Sequence, residues 1–406
     1  MTEEHHLSPS PRLATLRAAL ARGDEAALSR FWHELEEAGT PLIEAIPEDD
    51  GGAVVTFVYR AASDVRLVEV ACPLAGRGRL NEPMTRLPGS DLWLKSYRVR
   101  RGLRTEYWFV PDGVPQPDPR NPRMLVFPPD EDAFWDKTVP ESWFEVPPAT
   151  PSWLDGHADP AGRVERVRLR SRVLGNERPI TIYATPGYDA ARDGAPLVLL
   201  FDRWVYAHVL PTFAMLDRLV AGGAIPPLLL VLVGHPHDGA RHAELSCHAP
   251  FADFLARELL PWAAQQYGVR PHPATTAVGG MSAGGLAAAD AGLRYPDLFG
   301  NILAQSGAFS WKPDEDLEYE WPARQFVASP RLPLRWYLSA GSLETRATDG
   351  ARPSLLLANR HLRDVLRAKG YPVHYAEFDG GHDFVWQLPC LADGLRILLG
   401  AGGSAA

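Results

Sequence analysis

The chain has 406 residues, 46% hydrophobic and 22% charged, which is apolar material enough for more than one buried core. Its formal net charge of −9 argues against broad nucleic-acid binding, while a locally basic pocket stays open. The longest apolar run, Ile225 to Val233, is too short to cross a bilayer, and residues 1–10 are polar with no apolar signal core; a cytoplasmic protein without a membrane partner is expected.

Residues 11–39 carry helical periodicity in Leu13, Leu16, Leu20, Leu28, Phe31, Trp32 and Leu35, stopped by Gly39 and Pro41. Four β-branched and aromatic runs follow, at 53–60, 65–71, 92–100 and 105–110, separated by Gly, Pro and Asp. Short strands at such spacing predict a small β-sandwich. Residues 111–153 are dense in proline and read as an interdomain connection with little regular structure, the boundary falling near 150. Trp135, Trp143, Phe144 and Trp153 in it need cover, so part of it should pack on a domain. The division expected is 1–150 and 151–406.

From Arg163 the pattern alternates: a hairpin (164–173 and 180–184, turning at Gly175-Asn176), then strands near 197–201, 228–233, 276–279, 301–305, 335–339 and 373–378. Helices are expected over 207–221, 251–267, 283–294, 353–369 and 384–399. Apolar strands alternating with amphipathic helices mean an α/β domain, a mostly parallel sheet covered by helices, with functional groups on loops at the strands' carboxyl ends.

At one such end stands Gly280-Met281-Ser282-Ala283-Gly284, a Gly-x-Ser-x-Gly between a short strand and an alanine-rich helix. A strand-to-helix turn this tight thrusts a serine out of the sheet as a nucleophile, and side chains at Gly280 and Gly284 are expected to collide with opposing backbone. His382, after the last strand in Gly380-Gly381-His382-Asp383, is the candidate base. Glu344, after strand 335–339, is the candidate acid that holds the imidazole, with Asp349 further along the same loop as its competitor. Asp379 is a poorer candidate, and Asp383 reads as the N-cap of the final helix. The order Ser, acid, His is that of the α/β-hydrolase fold. Such a site needs two oxyanion donors: the Ala283 amide, and a second from the loop after strand 197–201, at Arg203 or Trp204.

The segment Gly234 to Leu245 reads as a loop crowded with His235, His237, His242 and Arg241, whose spacing fits no helix-borne zinc pair. Arg241 and Arg203 are candidate cations for an anionic substrate, with Glu244 the partner that would orient Arg241. Cys72, Cys247 and Cys390 lack metal-ligand spacing and read as reduced thiols. No metal or cofactor is expected.

Taken together, these residues resemble the enterochelin (enterobactin) esterases, which hydrolyse ferric catecholate siderophores. The resemblance rests on Leu199-Leu200-Phe201-Asp202, Arg241-x-x-Glu244-Leu245-x-Cys247, Gly280-x-Ser282-x-Gly284-Gly285-Leu286, Ser306-Gly307, Ala340-Gly341-x-x-Glu344 and Gly380-Gly381-His382-Asp383. Gly39-Thr40-Pro41, Val55-Thr56-Phe57, Asp91-Leu92-Trp93 and Asp118-Pro119-x-Asn121-Pro122 look like the family's immunoglobulin-like N-terminal domain. One departure is Arg203, where the family usually has glycine after the aspartate. The resemblance implies a cytoplasmic serine esterase acting on a catecholate trilactone, with iron present only as part of a ferric substrate. It also implies cations near the cleft, for which Lys312 and Arg346 join Arg203 and Arg241. The rival readings are a general carboxylesterase or acyltransferase with the same triad, and an inert siderophore-binding protein.

Overall fold

A computed structural model describes residues 10–75, 80–129, 138–148, 151–154, 159–192, 194–347 and 351–400. The chain forms two compact units: Met1–Val126, Val139–Thr150 and Asp379–Val385 make up the first, and Phe127–Thr138, Pro151–Phe378 and Trp386–Ala406 the second.

The first unit opens on two helices, α1 (Pro11–Ala21) and α2 (Ala27–Ala38). Ser10 caps α1, its hydroxyl accepting the Leu13 amide at 3.2 Å, with Pro11 pre-set for the first turn. The strands are β1 (Leu42–Ile46), β2 (Asp49–Arg60), β3 (Val68–Cys72), β4 (Leu80–Pro83), β5 (Thr85–Arg86), β6 (Leu92–Arg100), β7 (Arg104–Pro111), β8 (Met124–Phe127) and β9 (Val139–Glu145). They form two sheets, β1-β2-β6-β5 and β4-β3-β7-β9-β8. Phe57 of the first lies against Tyr107 and Phe144 of the second, with ring centroids 4.7 and 5.7 Å apart, so the inner faces make a sandwich core. Leu13, Leu16, Phe31, Trp32 and Leu35 of the helices pack on Leu42, Val58, Leu92 and Leu94.

The proline-rich stretch is more ordered than its composition suggests. β8 and β9 come from it, and β9 pairs with β7. Between β7 and β8, Asp118 is buried and accepts hydrogen bonds from the hydroxyls of Thr40 and Tyr107, both at 2.7 Å. Asn121 donates to the Trp143 carbonyl at 2.8 Å. Proline forbids ladder bonds here, so side chains satisfy the backbone and fix the segment. Trp143 and Phe144 are buried and Trp153 is half-buried, as their need for cover required; Trp135 lies outside the described residues.

The second unit holds one eight-stranded sheet, β10-β11-β13-β12-β14-β15-β16-β17. Its strands are β10 (Arg163–Ser171), β11 (Asn176–Ala184), β12 (Leu197–Phe201), β13 (Leu229–Val233), β14 (Thr276–Met281), β15 (Asn301–Gln305), β16 (Arg335–Gly341) and β17 (Val373–Phe378). β10, β11 and β13 pair antiparallel, and every later neighbour is parallel. β12, β13 and β15 are buried at every residue, as apolar strands covered on both faces must be. The helices are α3 (Thr212–Ala221), α4 (Asp238–Leu245), α5 (Ala249–Phe254), α6 (Leu260–Tyr267), α7 (Ala283–Arg294), α8 (Trp321–Ala328), α9 (Leu355–Ala368) and α10 (Gln387–Leu399). A π-turn over Leu255–Leu259 joins α5 to α6 as the single helix the periodicity predicts. Three helices depart from the sequence reading: α3, expected from 207 but starting at Thr212 after a separate π-turn over Val205–Val209 that ends in the extended Leu210; α4, read as a loop because histidine and glycine mask its apolar positions; and α8, a short helix in a stretch left unassigned. The architecture is the α/β-hydrolase type with a smaller sandwich domain before it, as expected.

Candidate active site

Ser282 follows β14 directly and begins the turn into α7, with φ 56° and ψ −117°. A residue with a Cβ held there costs about 1–3 kcal/mol, and the surroundings enforce it. The Ser282 amide donates to the Gln305 carbonyl at 2.9 Å, continuing the β14–β15 ladder, and its carbonyl accepts the Leu286 and Ala308 amides. Ser282 and Ala283 are half-buried while Gly284 to Gly292 are buried. Ala283 is the first helical residue, so its N–H makes no bond within α7 and belongs to the positive helix end.

The glycines divide differently from the expectation. A Cβ on Gly280 would meet Gly284 Cα at 3.0 Å, and one on Gly285 would lie 3.1 Å from both Ala304 Cβ and Gly307 Cα. One on Gly284 would meet nothing nearer than Phe201 Cβ at 3.6 Å, an ordinary contact. Gly284 matters as the surface Gly280 rests on. Gly280→Ala and Gly285→Ala are therefore expected to cost about 1–3 kcal/mol each and Gly284→Ala close to nothing, read as denaturation midpoints. Equal losses at all three positions would contradict this packing.

Glu344 lies just past β16 and is buried at 6% exposure. Its carboxylate accepts the Gly341 amide at 3.2 Å, and its carbonyl accepts Leu356 N from the start of α9. Asp349 lies outside the described residues. His382 is half-buried on the loop after β17. Asp383 does not cap the last helix, whose N-cap is Trp386; its carboxylate accepts the Thr105 hydroxyl at 2.5 Å and the Gly381 amide at 3.1 Å. Asp379 gives its carbonyl to the Arg104 amide at 2.9 Å. Thr105 and Glu106 thus bear on the histidine loop. Sequence reasoning missed them, since their partners are 278 residues away in the chain.

After β12, Asp202 has φ 59°, and its carbonyl accepts the Val205 amide at 3.0 Å. Arg203 is buried, with Nη1 donating to Thr181 Oγ1 of β11 at 3.2 Å and lying 3.5 Å from His208 Nε2. Trp204, next to it at the helical turn that leads into Val205–Val209, is also buried.

Arg241 on α4 binds the Asp202 carboxylate in bidentate fashion, Nε–Oδ1 2.5 Å and Nη2–Oδ2 2.8 Å. Burial is the largest single influence and pushes the Asp202 carboxyl up, but the Arg241 charge and hydrogen bond, together with the nearby His235 and His242, outweigh it and the net shift is downward. Glu244, the partner expected for Arg241, is engaged elsewhere. Arg178 of β11 grips both its oxygens at 2.7 and 2.9 Å, and His235 Nδ1 stands 2.9 Å away. Burial opposes this carboxylate's charge, yet the His235 and Arg178 hydrogen bonds bring its pKa down to about 2. Helix α4 sets Arg241 and Glu244 three residues apart, the spacing of a neighbouring pair, yet each takes its partner from another element. Lys312 donates to the carbonyls of Pro313 and Asp316, and Arg346 is exposed.

Among the described residues no group of three His, Cys, Asp or Glu could hold a metal ion, and no helix is long and apolar enough to cross a membrane. All three cysteines are free; burial pushes the Cys72 and Cys390 thiols up to about 12.

Residues 171–397, more than half the chain, match the family described as "Putative esterase", and residues 54–163 match the enterochelin esterase N-terminal domain. The iron(III) enterobactin esterase of Dickeya dadantii is 29% identical over 438 aligned positions, covering 96% of each chain. The iron(III) salmochelin esterase of Escherichia coli O6:H1 is 24% identical over 96% of this chain and 98% of its own. Among solved structures, the ferric enterobactin esterase of Salmonella typhimurium superposes with a TM-score of 0.77 at 25% identity, over 91% of this chain and 98% of its own. The Shigella flexneri enterobactin esterase, crystallised in the presence of enterobactin, gives 0.75 at 25% identity over 91% and 97%. This chain, a carboxylic ester hydrolase by descent, belongs to the esterase family of that description and, with its matching N-terminal domain, to the enterochelin esterases.

Proposed function

We propose that this protein is a cytoplasmic serine esterase that opens the ester backbone of an enterobactin-like catecholate trilactone, ferric or free, without a cofactor of its own. The observation that carries the reading is the strained Ser282 elbow at the carboxyl end of β14, in a chain with both an esterase and an enterochelin esterase N-terminal match. In this reading residues 1–150 are the N-terminal domain and 151–406 the catalytic domain. Ser282 Oγ attacks a backbone ester carbonyl and His382 takes its proton. Glu344 holds the imidazole in the right tautomer and stabilises it when charged. The Ala283 amide and an amide of Arg203 or Trp204 receive the oxyanion. His382 then protonates the departing serine alkoxide, and water, activated by the same imidazole, frees the acyl-enzyme. The product keeps its catechols but loses ring preorganisation, and with it hold on iron. Arg241, oriented by Asp202, supplies positive charge for the anionic substrate; Arg203 and Glu244, both buried, support that edge from behind.

The test is chromatographic product analysis with ferric and iron-free enterobactin beside p-nitrophenyl acetate. Linear products one water heavier per cut ester are expected, with kcat/KM on the trilactone well above that on acetate. Preference for the small ester by orders of magnitude would leave a general carboxylesterase. Binding of the siderophore without cleavage would leave an inert receptor.

A further inference from the structure

We infer that strand β7 positions the base: Arg104, Thr105 and Glu106 are positioning residues for His382. The inference rests on the reading of His382 as the base. The loop that carries it, Asp379–Val385, belongs to the first unit, together with β7. Strand β3 pairs with β7 only along Trp108–Pro111, so the start of β7 keeps that edge for another partner. The loop takes the place. The Arg104 amide donates to the Asp379 carbonyl at 2.9 Å. The Thr105 hydroxyl donates to Asp383 Oδ2 at 2.5 Å, and the same oxygen accepts the Gly381 amide at 3.1 Å, closing a turn around His382. Glu106 Oε1 accepts the amides of Phe384 and Val385 at 2.8 and 3.2 Å.

Three consecutive strand residues thus fix the chain before and after the imidazole, one by backbone, one by hydroxyl and one by carboxylate. Thr105, Glu106 and Asp383 are completely buried, so water does not compete for these bonds. Pro73, beyond the end of β3, closes the other side: a Cβ on Gly381 would lie 2.7 Å from its Cγ. A strand inside a paired sheet holds a group more precisely than a loop can. Precision matters, because misplacing a catalytic group by about 1 Å costs about a hundredfold in rate.

The test uses the full chain with iron-free enterobactin, well below the melting temperature. Thr105→Val keeps the side chain's shape and removes the donor. It is expected to lower kcat about tenfold or more while KM moves less than about threefold, and Thr105→Ser should recover kcat to within about twofold. Glu106→Gln keeps an acceptor but removes its charge, and a several-fold loss of kcat is expected, which gives a second reading should the valine variant not fold. Folded Thr105→Val and Glu106→Gln variants that both keep kcat within about twofold of the parent would overturn the inference. His382→Ala separates the two levels. Full turnover in that variant removes the base assignment itself; lost turnover beside unaffected β7 variants removes only the role of β7.

Discussion

Ser282→Ala is expected to lower kcat on enterobactin by about 10⁴- to 10⁶-fold with little change in fold or substrate affinity. Alanine also carries a Cβ, so the strained backbone at φ 56° is neither relieved nor worsened. What disappears is the oxygen that, in the proposed function, forms the covalent intermediate. His382→Ala should lose a similar factor, because an alkoxide does not form at neutral pH without a base. The informative variant carries both changes. Groups that act as one unit are strongly non-additive, so the double variant should be no slower than either single one. Multiplying losses would mean that Ser282 and His382 act separately and the triad is misassigned. Glu344→Gln should fall short of both, since the imidazole is then poorly held but still present. Progress curves by chromatography, with dissociation constants from quenching of tryptophan fluorescence, separate chemistry from binding.

The second large effect is on stability. Arg178→Ala is expected to cost about 3–5 kcal/mol, read from urea denaturation at neutral pH, because it leaves Glu244 buried without its bidentate cation. Arg178 is completely buried and packs over Phe254 at 4.6 Å, so water cannot take its place without a cavity. The pair Arg178→Met and Glu244→Leu together should recover much of the loss, since the cost lies in an uncompensated charge. The pH dependence follows from the Glu244 carboxyl, held at about 2 against an ordinary 4.5. A carboxyl with a depressed folded pKa stabilises fully above its unfolded value and loses that contribution as pH falls through the folded one. In the parent this contribution should be complete above pH of about 4.5 and fall by up to about 3 kcal/mol toward pH 2; Arg178→Ala removes only the Arg178 share of it, since the His235 hydrogen bond remains, so the difference between the two proteins should shrink toward pH 2 by less than that. A difference that stays constant down to pH 2 would show that Arg178 stabilises by packing alone.

Much of this molecule was legible in its residues, and the reason is locality. Helix and strand periods come from burial of one face or two, so the runs at 197–201, 283–294 and 373–378 announced themselves. The serine elbow was legible because its strain is set within five residues, Gly280 to Gly284, and by their immediate neighbours. Short helix α4 was hidden, since His242 and Gly239 blur its apolar face and His235 and His237 crowd the chain just before it. β8 and β9 were hidden too, since proline around them signals punctuation while their strand character comes from partners already in place.

By itself, then, the sequence determined the α/β order of the catalytic half, the sandwich before it, the elbow at Ser282 and the order of Ser282, Glu344 and His382. All of these depend on neighbours along the chain. Tertiary structure alone decided which charges meet. Glu244 turned to Arg178, 66 residues upstream, leaving Arg241 to Asp202, and Asp383 turned to Thr105, 278 residues upstream. A buried ion or hydrogen bond takes whichever partner the packing brings within reach, and no local pattern records that choice. The loop of His382 was read as the tail of the catalytic half, yet the fold gathers it into the first unit with β7.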